Sequence, residues 1–99
     1  MRVISRKKLK EFWEQPEYQD AEQPLKSWYT EASKAEWNSP AEIKEQYRSA
    51  SILKNNRVVF NIAGNKYRLV VMTSRDYTIC LVRFVGTHQQ YDKINAETI

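Results

Sequence analysis

The sequence predicts an α+β fold in which helices from the N-terminal half pack against a mainly antiparallel sheet from the C-terminal half. Two observations support this prediction. Apolar residues recur at the spacing of one helical face up to about Arg48. From Arg57 onward the apolar period changes to two, and β-branched and aromatic residues dominate. A chain of 99 residues suits one domain with one core, spanning residues 1–99.

The first two helices are expected between residues 5 and 35. Ser5 is a good N-cap, and the first helix should end before Pro16. Its apolar face consists of Leu9, Phe12 and Trp13. Asp20 and Gln23 resemble a capping pair for the second helix, with Pro24 tolerated in the first turn. The apolar face of that helix consists of Leu25, Trp28, Tyr29, Ala32 and Ala35.

The third helix has the strongest start signal. Ser39 is an N-cap serine, Pro40 occupies the first helical position and Glu42 the third, so a helix should run from Pro40 to about Arg48. The aromatic stripes on these helices could line a ligand groove, but such spacing more often marks the side that faces the core. We interpret them as packing.

Three strands are expected in an antiparallel meander. They cover residues 58–62, 67–72 and 77–84. Gly64-Asn65 is a two-residue hairpin signal, which fixes the first register. The opposed pairs are then Ala63 with Lys66, Ile62 with Tyr67, and Asn61 with Arg68.

The second turn, near residues 74–76, lacks glycine, which favours a loop of two or four residues. Either length places Arg68 and Arg83 on one sheet face, directly opposite or diagonal, in a polar row with Asn61. The other face should be apolar and receive the helices. Its residues are Val58, Phe60, Ile62, Leu69, Val71, Cys80, Val82 and Phe84. Cys80 is therefore predicted to be structural.

Two neighbouring arginines repel each other unless an anion lies between them. A carboxylate from the acidic helices is one candidate, and a bound phosphate is the other, because guanidinium groups bind phosphate at two points. Both alternatives remain open at this stage. The Arg68→Glu variant separates them, since it should abolish RNA binding in one case and folding in the other.

The exit from the last strand, residues 83–94, concentrates the chemistry of the chain. Thr87 and Gln90 have the spacing of a capping box, so a short helix from about His88 to Ile94 is expected. His88 and Tyr91 should project from one side of it, and Asp92 is a further candidate for the same side. Imidazole exchanges protons near neutral pH, and a phenol donates to a developing charge or stacks on a base. A lone histidine is more often structural, so the case for a catalytic site depends on the residues around His88.

Charge is distributed unevenly along the chain. Residues 1–10 hold five cations and no acid, residues 11–49 hold four cations and nine acids, and residues 50–99 hold seven cations and three acids. Cations and amides near the sheet, at Lys54, Asn55, Arg57 and Lys66, suit phosphates and bases. Each of these residues, taken alone, has a simpler explanation, because surface lysines are usually solvated and amide-rich turns form for backbone reasons.

Several classes of protein are disfavoured. With one cysteine and one histidine, neither an internal disulfide nor a zinc or iron–sulfur site is expected, and no cofactor is predicted. The first residues lack the apolar run of a secretory signal, and no stretch approaches the roughly 20 apolar residues of a membrane span. We therefore expect a cytoplasmic protein without a membrane partner.

A string of motifs runs from one end of the chain to the other. They cover residues 2–5, 39–44, 55–62, 64–69, 83–88 and 91–94. In this order they resemble the HigB toxins of type II toxin–antitoxin modules, a branch of the RelE-like mRNA interferases. The resemblance implies a RelE-like, microbial-ribonuclease-like fold with a curved sheet and a short C-terminal helix.

The same resemblance implies an activity and its residues. HigB-like toxins cleave mRNA, commonly on the ribosome, by activating a ribose 2′-hydroxyl against the adjacent phosphate without a metal, and a helix-turn-helix antitoxin of the HigA kind neutralises them. Carried over by position, Arg68 and Arg83 stabilise the phosphorane, and His88 and Tyr91 are the acid–base candidates. Lys66, Asn61 and Lys93 position the RNA backbone.

The sequence also departs from the family pattern. Relatives often have a basic residue in place of Ala63 and further cations at residues 74–76, so RNA or ribosome affinity is expected to be weaker. A non-catalytic RNA- or ribosome-binding module is therefore the alternative function. A structural subunit that binds only an acidic protein is a third interpretation.

Overall fold

A computed structural model describes all 99 residues of the chain. Five strands form one sheet in the order β1-β5-β4-β3-β2, and four α-helices and one 3₁₀ helix accompany it. In chain order the elements are β1 (Arg2–Ile4), α1 (Arg6–Trp13), the 3₁₀ helix (Pro16–Ala21), α2 (Glu22–Lys34), α3 (Pro40–Gln46), β2 (Ser51–Ile52), β3 (Arg57–Ile62), β4 (Tyr67–Thr73), β5 (Ile79–Thr87) and α4 (His88–Tyr91). The predicted α+β class is confirmed.

The sheet has two faces with different cover. The helices pack on one face, where aromatic side chains such as Trp28 and Phe60 are buried with the apolar residues of the meander. We call the opposite face the outer face. Its strand residues Val59, Val70 and Phe84 form a smaller apolar cluster with residues from the C-terminal end. Polar side chains of the strands therefore lie on the outer face.

The helices form where the spacing predicts them, but one predicted cap is wrong and another, Ser5, occupies the N-cap position without a capping side-chain hydrogen bond. Ser39 accepts a hydrogen bond from the Glu42 amide at 3.4 Å, as a capping serine should. Ser5 precedes α1 with a φ of 74° and makes no side-chain cap. Asp20 lies within the 3₁₀ helix, and α2 begins after Ala21 instead. Asp20 does not cap because its carboxylate binds the hairpin end of the sheet.

The first hairpin has the predicted register. Asn61 pairs with Arg68 and Ile62 pairs with Tyr67. The positive φ values fall on Ala63 and Gly64, one residue earlier than the expected Gly64-Asn65. The pairing of β3 with β4 is unaffected, because the one-residue difference lies within the turn.

The pairing of β4 with β5 differs from the prediction. A bulge between Val70 and Val71 leaves Arg83 without a partner, and Arg68 pairs with Gly86. Arg68 and Arg83 are therefore neither opposite nor diagonal. The bulge also reverses the alternation, so Phe84 packs in the outer cluster and not in the helix-facing core. No glycine marks this bulge, and the turn residues alone do not reveal it.

Two strands were not expected from the sequence. β1 pairs in parallel with β5, with Val3 next to Cys80, and β2 adds two residues at the other edge. Both are too short to show a period. Cys80 is buried in the core as predicted, and burial raises the pKa of its thiol to about 12.

The end of the sheet forms as the sequence predicts, except in length. Thr87 and Gln90 make both hydrogen bonds of a capping box, at 3.2 and 2.8 Å. The α-helix covers only His88–Tyr91, and turns continue to Ile94. No helix in the structure is both long and apolar enough to cross a bilayer.

Candidate active site

Arg68 is the centre of the candidate site on the outer face. Its backbone position in β4 opposes Asn61 of β3 on one side and Gly86 of β5 on the other. Gln90 and Phe84 fill the space above Gly86. A Cβ at Gly86 would lie 2.6 Å from Gln90 Oε1 and 2.7 Å from Phe84 Cζ, so a larger residue there would force these side chains to move.

Four side chains meet at this point, and we call them the Arg68 cluster: Asn61, Arg68, His88 and Tyr91. Arg68 donates from Nη1 to Asn61 Oδ1, and its Nη2 lies 2.9 Å from His88 Nε2. The guanidinium also lies over the Tyr91 ring, 5.5 Å from its centroid. Asn61 is itself oriented by a 3.3 Å hydrogen bond to the Ser49 main chain. The cluster is half-buried to exposed and open to solvent.

The capping box explains why His88 and Tyr91 reach the same guanidinium. Thr87 and Gln90 start α4 where β5 ends, and residues three apart on a helix lie on one side. Both side chains are therefore directed back over β4. The expected grouping of these two residues is present.

The contact between Arg68 and His88 constrains the imidazole tautomer. A guanidinium only donates hydrogen bonds, so a hydrogen bond across this contact uses the lone pair of an unprotonated Nε2, with the ring proton on Nδ1. A phosphate that drew Arg68 away would free this lone pair for use as a base.

Arg83 does not join the cluster. It lies three residues before Gly86 on β5, about 10 Å along the strand at the usual rise per residue. Its Nε donates to the Ile99 main-chain oxygen at 3.1 Å, and Arg57 Nη2 donates to the same oxygen at 2.6 Å. The expected convergence of Arg68 and Arg83 on one point is thus wrong, and the physical reason is the bulge.

No acidic side chain pairs with Arg68 or Arg83. The three side-chain ion pairs of the structure involve lysines only. The carboxylate alternative for these arginines is therefore contradicted.

The remaining predicted RNA-binding residues are dispersed. Lys66 binds the Asp20 carboxylate at the hairpin end, and Asn55 donates to the Glu97 main-chain oxygen at 3.1 Å. Lys54 and Lys93 are exposed. Neither Lys66 nor Asn55 makes a hydrogen bond to the Arg68 cluster.

Asp20 and its neighbours belong to the surroundings of the site, and the sequence did not reveal this role. Hydrogen bonds from Lys66 and then Tyr67 hold the Asp20 pKa below its usual range. The pKa of Lys66 is raised in return by the same contact. Tyr18 stacks on Phe12, with ring centroids 4.5 Å apart. No sequence motif marks the two Asp20 contacts, whose partners lie 46 and 47 residues away in the chain.

A second unpredicted contact ties the 3₁₀ helix to α4. Gln90 Nε2 donates to Tyr18 Oη at 3.3 Å, while Gln90 Oε1 closes the capping box. One amide therefore joins the turn that carries His88 to the aromatic stack beneath it. No group of three or more His, Cys, Asp or Glu side chains is arranged to hold a metal ion.

Comparisons with known proteins give a consistent family. The model of the HigB toxin family, described as the RelE-like toxic component of a toxin–antitoxin system, matches residues 21–94. The chain is 30% identical over 98 residues to the mRNA interferase toxin HigB of Escherichia coli K12, covering 97% of this chain and 92% of that protein. The proteins named mRNA interferase HigB of Escherichia coli O157:H7 and Shigella flexneri match to the same extent.

Proposed function

Because the chain belongs to the HigB family of RelE-like toxins, we propose that it is a toxin–antitoxin endoribonuclease that cuts mRNA at the Arg68 cluster. Its relatives are named mRNA interferases, and they cover nearly the whole chain. The single observation that supports the location is the meeting of a guanidinium, an imidazole and a phenol at one solvent-open point.

The proposed reaction is an internal transfer of the phosphate. The ribose 2′-oxygen attacks the adjacent phosphorus, the bond to the 5′-oxygen breaks, and the products carry a 2′,3′-cyclic phosphate and a 5′-hydroxyl. Arg68 binds the scissile phosphate and stabilises the negative charge that develops on it. Asn61 holds the Arg68 guanidinium in place.

The two proton transfers are assigned to His88 and Tyr91, which both lie against the Arg68 guanidinium. When Arg68 turns to the phosphate, the lone pair of His88 Nε2 becomes free and takes the proton of the 2′-hydroxyl. Tyr91 gives its phenolic proton to the departing 5′-oxygen. All the groups that this scheme needs are side chains of the protein, so the proposed reaction uses no metal.

The first experiment tests cleavage itself. The purified protein is incubated with an mRNA fragment, and the ends are mapped and identified chemically. We expect cyclic phosphate and 5′-hydroxyl ends, loss of a cut when its nucleotide lacks the 2′-hydroxyl, and unchanged cleavage with a chelator. Cutting of the 2′-deoxy substrate, or loss with the chelator, contradicts the proposed reaction.

Variants of α4 test the location. His88→Ala should lower kcat by about 10²–10⁴ and Tyr91→Phe should also lower it strongly, since both remove a proton-transfer group. Gln89→Ala is the matched control, because Gln89 is exposed on the same turn and outside the cluster. Equal activity of all three variants contradicts the site.

The ribosome and the antitoxin are further parts of the proposal. We propose that the substrate is mRNA in the course of translation, and that a helix-turn-helix antitoxin of the HigA kind covers the Arg68 cluster. Cleavage of the same message free in solution and on programmed ribosomes should favour the ribosome by a large factor. Addition of the cognate antitoxin should stop cleavage in both settings. Cleavage by the assembled toxin–antitoxin complex contradicts the proposal that the antitoxin covers the Arg68 cluster.

A further inference from the structure

Residues 95–99 lie over polar side chains of the outer face. Asn55 Nδ2 donates to the Glu97 main-chain oxygen at 3.1 Å, and Arg57 and Arg83 both donate to the Ile99 main-chain oxygen. Each of these three side chains is among those that the sequence predicted to act on RNA. The segment thus presents acceptor oxygens to donors that suit an RNA backbone.

The guanidinium groups of Arg57 and Arg83 meet at a single oxygen and keep further N–H donors unused. They approach the Ile99 oxygen to 2.6 and 3.1 Å, and none of the three side-chain ion pairs of the structure involves either arginine. Arg57 Nε is buried and donates to no protein atom, and Arg83 donates only through its Nε. Arg68 Nε is in the same state as Arg57 Nε, and a water or a ligand can satisfy such a donor.

We propose that Arg57 and Arg83 form a second phosphate subsite for single-stranded RNA, which residues 95–99 cover and which they vacate when RNA binds. This inference rests on the proposed function. Arg83 lies about 10 Å along β5 from the position opposite Arg68, so the subsite takes a phosphate that flanks the scissile one.

The cover is built so that it can be exchanged for RNA. It contacts the two arginines through one oxygen of Ile99, and its apolar anchors are few: Ala96 is buried and Ile99 is half-buried in the outer cluster. A phosphate presents several oxygens to the same two guanidinium groups, so it can use N–H donors that the single Ile99 oxygen leaves free.

The direct test removes one phosphate charge at a time. An RNA oligonucleotide with a 2′-deoxy nucleotide at the cleavage position is bound to the protein, with a methylphosphonate placed at each flanking linkage in turn. At one linkage the wild-type protein should lose about tenfold in affinity, the usual effect of one charged hydrogen bond. In Arg57→Gln and Arg83→Gln the same methylphosphonate should lower the affinity only slightly compared with the unmodified oligonucleotide.

A matched control is available at Arg75, which is exposed in the loop between β4 and β5. Arg75→Gln should keep the full methylphosphonate effect. If the effect is equally large in Arg57→Gln, Arg83→Gln and wild type, the two arginines serve only to hold residues 95–99, and the subsite is wrong. Failure of the unmodified oligonucleotide to bind at low salt also overturns it.

Movement of the cover is tested by hydrogen exchange. The Thr98 and Ile99 amides both donate to the Asn95 main-chain oxygen, at 3.1 and 3.0 Å, which gives them measurable protection. Addition of the 2′-deoxy oligonucleotide should speed their exchange. Unchanged or slower exchange at these amides, with RNA bound, overturns the displacement of the segment.

Kinetics separate this proposal from the function on which it rests. Arg83→Gln should raise KM about tenfold and lower kcat far less than Arg68→Gln does. If the two variants lose kcat equally, the subsite proposal fails while the nuclease stands. If the wild-type protein cleaves nothing but the coupling of Arg83 to one flanking phosphate is observed, the nuclease fails while the subsite stands.

Discussion

Two arginine sites share the outer face of the sheet and differ in what surrounds each guanidinium. Arg68 contacts an imidazole, a phenol ring and an amide side chain, whereas Arg57 and Arg83 both donate to a single oxygen of Ile99. An arginine donates hydrogen bonds and exchanges no proton in catalysis, so it binds phosphate at either place. Only the first site has groups that move protons. The comparison separates a place that can cut RNA from a place that can only hold it.

The largest expected effect is on Arg68 itself. Arg68→Gln should lower kcat by about 10²–10³, the loss seen when one donor to a developing anion is removed. The expected loss is much smaller for Arg83→Gln. Single-turnover cleavage of one RNA by both variants measures the difference, and circular dichroism confirms that both are folded.

The next test acts on Gly86, the residue opposite Arg68 in β5. Gly86→Ala adds a Cβ 2.6 Å from Gln90 Oε1 and 2.7 Å from Phe84 Cζ. We expect a loss of about 1–3 kcal/mol in the free energy of unfolding from overpacking, with weaker cleavage because α4 is displaced. Denaturant unfolding measures the stability.

Gly64→Ala is the control for Gly86→Ala. Gly64 has a φ of +69° and no atom within 4 Å of an added Cβ, so alanine there costs backbone strain of about 1 kcal/mol and nothing else. Its cleavage rate should equal that of the wild type. An equal loss of cleavage in both variants means that general destabilisation, and not the position of α4, limits activity.

A smaller effect concerns the third basic position, Lys66, which a carboxylate already occupies. The Asp20 pKa is held below its usual 3.8, so the unfolded chain binds this proton more readily than the folded protein. The contact therefore adds stability at neutral pH and loses it as the pH falls through the folded-state pKa of Asp20. Denaturant midpoints at about pH 6 and about pH 3 should move further apart in wild type than in Asp20→Asn.

If the denaturant midpoint of Asp20→Asn depends on pH in the same way as that of the wild type, the Asp20 carboxylate does not stabilise the hairpin end. Glu17→Gln is a suitable control, because Glu17 is exposed on the same 3₁₀ helix and has no ion pair.

The smallest expected effect is at the hydrogen bond between Gln90 and Tyr18. Tyr18→Phe removes the acceptor of a 3.3 Å contact and keeps the ring that stacks on Phe12. We expect a stability loss of about 0.5 kcal/mol and a small decrease in kcat, with KM for RNA unchanged. Tyr29→Phe is the control, since Tyr29 lies on α2 away from α4. A larger change in KM than in kcat contradicts a role in orienting α4.

Local patterns predicted a large part of the fold and of the candidate site. The capping box at Thr87 and Gln90 placed the start of α4, and with it the shared side of His88 and Tyr91. The glycine turn fixed the pairing of Asn61 with Arg68. Each of these signals involves residues close together in the chain, where spacing and turn chemistry act directly.

Errors arose where distant segments decide the outcome. Asp20 has the spacing of a helix cap, but Lys66 and Tyr67 bind its carboxylate across the fold. The predicted position of Arg83 beside Arg68 is wrong, because the prediction assumes that side chains alternate regularly along the strands, whereas the bulge between Val70 and Val71 interrupts this alternation. A bulge of this kind depends on how both sheet faces pack, and nothing in the neighbouring residues reveals it.

The α+β class, the first hairpin register and the grouping of His88 with Tyr91 can all be read from the amino-acid sequence, because helical spacing, turn glycines and caps act within a few residues. The tertiary fold alone shows that β1 joins the sheet in parallel, that Arg57 and Arg83 donate to one Ile99 oxygen and that residues 95–99 lie over both. These features require contacts between segments far apart in the chain, whose geometry depends on the packing of the whole sheet.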